Sequence, residues 1–129
     1  MTQEEIDNGN GLIRTFDNPL MKIKDGWVVV GDDDEKIYPI RSVKYHSDWN
    51  MLMPVVEKIE SMGNTIVEIG KKHCRIQPIL YNKERDCMQW EMMHENKKNS
   101  KIEAVWFSVV SFIKWHNSQK ANTLLANGK

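Results

Sequence analysis

The sequence predicts an α+β domain: an antiparallel sheet of three or more strands with two main helices on one face, an α-β-β-β-α core, and an N-terminal helix and β-strand extension. Three observations predict it. Apolar residues recur at 3- and 4-residue steps near residues 47–62 and again near 101–116, the period of an amphipathic helix. Between these segments lie three strand-like stretches, 65–69, 73–80 and 87–93, separated by turn residues. Their connections are too short for parallel crossovers, so the strands must meander. A chain of 129 residues, 40% hydrophobic and 28% charged, suits one domain with one modest core.

From Glu4 to Phe16, the residues Ile6, Leu12, Ile13 and Phe16 fit a short helix, although Gly9 and Gly11 each cost it about 1 kcal/mol relative to Ala. Strand formers follow: Met21 and Ile23, then Trp27 to Val30, then Ile37 to Ile40, with Asp25-Gly26 and the polar run Gly31 to Glu35 as turns. Pro39 lacks an N–H, so the third stretch is an edge strand or ends there. Ser47 is placed to cap a helix carrying Trp49, Leu52, Val56, Ile59 and Met62, which Gly63 terminates. Pro54 must kink that helix or restart it.

In the third strand-like stretch, Met88, Trp90 and Met92 alternate with Gln89 and Glu91 as in a half-buried strand. Ser100-Lys101-Ile102-Glu103 is a capping box. Behind it, Ile102, Val105, Trp106, Val109, Phe112 and Ile113 line one face of a helix from Lys101 to His116. Phe107, Val110 and Trp115 widen that face, so the helix is expected to pack on more than one side. Leu52, Val56, Ile59, Ile76, Val105, Val109 and Phe112 are the expected core.

The chain reads as one domain, 1–129, made of an acidic N-terminal extension (1–40), the core (41–118) and a frayed tail (119–129). Eighteen basic and eighteen acidic residues cancel, which argues against a chain built mainly to grip a phosphate backbone. The charge is unevenly spread: net −5 over 1–40 and net +5 over 41–129. No apolar run approaches the roughly 20 residues of a membrane span, and the acidic start is not a signal peptide, so the expected location is the cytoplasm. Cys74 and Cys87 are read as buried thiols in a reducing compartment.

No pair among His46, His73, Cys74, Cys87, His94 and His116 has the close spacing of a zinc site. His73 and Cys74, adjacent on a strand, point to opposite faces, which sends Cys74 to the core and His73 to the surface. The run Asp32-Asp33-Asp34-Glu35 fails the EF-hand pattern at Lys36 and Ile37 and reads as a solvated turn. The phosphate-cradle, hydrolase-elbow and zincin motifs are all absent. Neither a metal nor a cofactor is expected, and an enzyme is the minority reading. Trp115, off the main face of the last helix, is a candidate interface anchor, or is buried if that helix packs on two sides.

The order helix-strand-strand-strand-helix over 47–116 resembles the double-stranded-RNA-binding domain. That family has a Gly-Pro-x-His loop between its first two strands and a lysine cluster opening its second helix. This chain has Gly70-Lys71-Lys72-His73 and Lys97-Lys98-Asn99-Ser100-Lys101 at those places, with Lys71 in the position of the proline. The resemblance implies His73 in a minor groove and Lys97, Lys98 and Lys101 facing phosphates at a helix N-terminus.

The segments Tyr45 to Glu60, Ser100 to Val105 and Phe112 to Asn117 also resemble small uncharacterised proteins of bacteriophages and prophages. That resemblance implies an origin in a mobile element. The expectation is then a non-enzymatic interaction protein that binds a host protein or nucleoprotein in the bacterial cytoplasm, a host defence complex among them. The alternatives are an RNA-binding module and a small enzyme. The expected partner-binding residues are Lys71, Lys72, His73, Lys97, Lys98, Lys101 and Trp115.

Overall fold

A computed structural model gives the architecture; it describes residues 1–63, 65–91 and 93–127, with the backbone alone for 81–82 and 121–127. Helix α1, Gln3–Asp17, opens on Thr2, whose hydroxyl accepts from the Glu5 N–H at 3.1 Å. Strands β1 (Met21–Lys24), β2 (Trp27–Val30) and β3 (Glu35–Pro39) form an antiparallel three-stranded sheet. Asp25 and Gly26, with φ of 52° and 79°, make the first turn, and β3 ends at Pro39 as its missing N–H requires. The acidic run becomes a turn in which Asp34 pairs with Lys22 at 3.3 Å and Lys24 at 2.7 Å.

Helix α2 is Trp49–Glu60. Asp48 caps it in place of the expected Ser47, its carboxylate accepting from the Asn50 N–H at 2.9 Å, since the helix starts at Trp49. Pro54 lies inside a continuous helix, and Gly63 follows with φ of 72°.

Strands β4 (Ile66–Ile69), β5 (His73–Gln77) and β8 (His94–Lys97) form the second antiparallel sheet, with β5 in the centre. Between β5 and β8, β6 (Ile79–Asn82) and β7 (Cys87–Trp90) make a hairpin that is a separate two-stranded sheet among the described residues. This corrects two expectations. The stretch 73–80 breaks at Pro78, which has no N–H for a ladder, and 87–93 is not the third strand of the core sheet; His94–Lys97 is. Met88 and Trp90, expected half-buried, are 47% and 57% exposed. Cys87 is exposed rather than buried, whereas Cys74 is in the core.

Helix α3, Lys101–Asn127, runs eleven residues beyond the expected end at His116. The expected tail has no Gly or Pro before Gly128 and so contains no stop signal. The Ser100 half of the capping box is in place, with the Glu103 N–H donating to Ser100 Oγ at 3.3 Å. This helix contacts β5 and β8, and also α1 and α2, as its broad apolar arc requires. All seven expected core residues are buried.

One buried polar knot ties the N-terminal segment to this core. Asn10, 1% exposed, accepts from Trp106 Nε1–H at 2.8 Å and donates from Nδ2 to the Val43 carbonyl and to His46 Nδ1, both at 3.0 Å. His46 must therefore be neutral at Nδ1, and burial holds its pKa below the ordinary histidine value. Asn10→Ala strands the Trp106 donor and the Val43 acceptor, so a loss of about 2–3 kcal/mol is expected, read as a lower urea midpoint.

Candidate partner-binding face

The β4–β5 turn and the β8–α3 junction lie at the same end of the second sheet. Gly70 N–H donates to the His73 carbonyl at 2.7 Å, which closes a turn with Lys71 and Lys72 at its tip. Antiparallel register then sets His73 opposite Lys97. The Lys98 N–H extends that ladder by one step, donating to the Lys72 carbonyl at 2.9 Å. Lys101 is the first residue of α3, one position past the Ser100 cap. Two lysine clusters about 25 residues apart in sequence thus share one edge, joined by the backbone hydrogen bonds of a sheet.

Lys71, Lys72, Lys97 and Lys101 are exposed. Lys98 is half-buried, with its Nζ 4.1 Å from the centre of the Phe107 ring. Among the described residues none of these five ammonium groups pairs with a carboxylate. His73 differs, because its Nε2 lies 3.0 Å from Glu95, and its side chain keeps about a third of its exposure. Next to it on the outward face of the sheet, Arg75 pairs with Glu68. On this sheet, then, Arg75 has a carboxylate partner, whereas among the described residues the rim lysines have none. The lysines also sit at the positive end of α3, where a cation is mildly unfavourable, so helix stability does not account for them.

Trp115 is not part of this rim. It stands fourteen residues after Lys101, about 21 Å along the helix at 1.5 Å per residue. It is half-buried against Phe112 and His94, with ring centres 5.7 and 5.9 Å away. The aromatic group that the rim does include is Phe107, which sequence reading placed only as an off-stripe helix residue. The exposed tryptophan is Trp90, on the hairpin.

Among the described residues no three His, Cys, Asp or Glu side chains converge as a metal site would need, and no helix is long and apolar enough to cross a membrane. No protein-family profile, curated protein or solved structure matches this chain. The rim's own chemistry therefore has to carry the functional reading.

Proposed function

We propose that this chain is a non-enzymatic interaction protein whose rim, Lys71, Lys72, Lys97, Lys98 and Lys101, docks against an acidic surface of a host protein or nucleoprotein. One observation carries the reading: five lysine ammonium groups, none with a carboxylate partner among the described residues, gather on a single edge of a chain whose net charge is zero. Such an edge speeds encounter with an anionic partner and fixes its orientation. The resemblance to phage proteins makes bacterial host components the expected partners, and blocking a host defence complex the expected consequence.

A second reading, duplex RNA, is favoured by a separate observation. Helix α2, strands β4, β5 and β8 and helix α3 follow the helix-strand-strand-strand-helix order, with the Gly70–His73 turn beside the start of α3. Shape-selective duplex binding would place those two features on successive grooves.

Changing all five lysines to Glu, with the fold checked by circular dichroism, tests the rim. Partner capture from the host is expected to fall at least about tenfold, mainly through slower association. Unchanged affinity and unchanged salt dependence would remove this edge as the site. Duplex RNA binding by the unaltered protein, weakening steeply as salt rises, would replace the first reading with the second.

A further inference from the structure

Phe112 lies between two histidine rings. His94 meets it edge-on at 5.9 Å and 87°, and His116 stacks on it at 6.0 Å and 14°. Phe16 of α1 closes against His116 at 5.6 Å, and Trp115 leans on His94 at 5.9 Å. Through these rings the part of α3 beyond Val110 is held to β8 by His94 and to α1 by Phe16.

His94 is 2% exposed. Its Nδ1 is 2.7 Å from Ser111 Oγ, while its Nε2 is sealed from solvent and has no hydrogen-bond partner. In a neutral ring the Ser111 hydroxyl satisfies Nδ1 in either tautomer, by donating to it or accepting from it. Protonation removes that freedom. Both nitrogens become donors, Ser111 serves only one, and Nε2–H then carries positive charge beside Phe112 and Trp115 with no acceptor.

The charged groups around the ring do not relieve this. Glu5 of α1, Glu91 ahead of β8, Glu95 of β8 and Lys114 of α3 line the two hollows that His94 borders, and none forms an ion pair with the ring. Glu95 is taken by His73, and β5 presents Ile76 opposite His94. On the other side of Phe112, His116 faces Lys120 of its own helix, and Lys58 of α2 sits 5.1 Å from the Phe16 ring.

We propose that this cluster is an acid-released clasp: proton uptake by His94 frees the C-terminal half of α3 from β8 and α1, while the N-terminal half of the helix stays seated. The N-terminal half is held by groups that do not titrate near neutrality. Val105 and Val109 are in the core, Ser108 donates to the Cys74 carbonyl at 3.1 Å, and Trp106 donates to Asn10. Burial lowers the pKa of His94, and burial followed by Lys120 lowers that of His116. The unfolded or released ring therefore binds a proton more readily than the clasped one. The clasp is at full strength above the ordinary histidine value of 6.5 and weakens as pH falls below it toward the depressed folded value.

Hydrogen exchange resolved along α3, corrected for the intrinsic pH dependence of exchange, tests the clasp on the full chain at about pH 7.5 and about pH 5. Amides of 111–120 are expected to lose about tenfold or more of their protection in acid, and those of 102–109 to keep theirs. His94→Phe keeps a ring of similar shape that takes no proton, so most of the pH dependence is expected to vanish, with His116 alone contributing the remainder. Proton NMR titration of His94 in the unaltered protein gives a readout that needs no variant. A midpoint below 6.5 that coincides with the loss of protection supports the clasp. Protection lost evenly along α3, a pH effect undiminished by His94→Phe, or a His94 midpoint at or above 6.5 would each overturn it.

Discussion

Replacing Gly9 with Ala is expected to destabilise the protein by at least about 2 kcal/mol, although helix propensity alone favours Ala by about 1 kcal/mol. The added Cβ would sit 2.2 Å from Cζ2 and 2.4 Å from Cη2 of Trp106. No carbon tolerates that approach, and the indole has little freedom to yield. Its Nε1–H is bonded to Asn10, the next residue of α1, and its ring meets Phe107 at 5.0 Å. Gly9 is therefore the place where α1 rests directly on an aromatic ring of α3. Gly11→Ala is the control, since the three atoms nearest its Cβ all belong to Ile23, the closest being Cγ1 at 3.2 Å, on a side chain able to shift. The propensity gain then survives in part, and the two substitutions are expected to move the thermal midpoint in opposite or very unequal ways. Equal effects would disprove the close contact.

The second large effect is at Val109, which is 0% exposed on the face of α3 turned to the core. Val109→Asp brings an unpaired carboxylate among apolar side chains, at a cost that exceeds about 4 kcal/mol and absorbs most of the 5–15 kcal/mol by which a domain is stable. Loss of the cooperative unfolding transition is the expected outcome. Val109→Ala, which removes two methyl groups and adds no charge, should stay folded and lose about 1–3 kcal/mol. A folded Asp variant with a normal transition would mean that this helix face is not the core.

Helices α2 and α3 were legible because their apolar periods are strong, and α3 also because Ser100 caps it as expected; at α2 the cap is Asp48, one residue past the expected Ser47. The rim was legible because its lysines flank those elements, so any antiparallel meander had a chance of bringing them to one end. What stayed hidden was the strand that does so. His94-Glu95-Asn96-Lys97 contains no aliphatic residue, and its inward positions are His94, bonded to Ser111, and Asn96, bonded to Ser108 at 3.1 Å. A strand that turns polar side chains toward a serine-bearing helix has no apolar alternation to detect. Met88 and Trp90 do alternate, and they misled for the converse reason, because alternation reports two unlike faces without saying that either is covered. Pro78 was the available warning that the run 73–80 could not be one strand. Trp115 could be read either as an anchor or as buried by two-sided packing of its helix, and its contacts with Phe112 and His94 decide for the second.

The hairpin also bears on how fast the chain finds its fold. Strand β8 must cross residues 78–93 to reach β5, and every doubling of a closing loop adds about 0.6 kcal/mol of entropic cost. Because Ile79 already faces Trp90, and the Glu91 N–H donates to the Pro78 carbonyl at 2.9 Å, a hairpin that zips first leaves only a few residues to be closed when β8 docks. Local zipping takes microseconds, so the non-local pairing that assembles the lysine rim begins from ends already held close together. The rate at which the rim appears during refolding is thereby tied to a segment that contributes none of its charges.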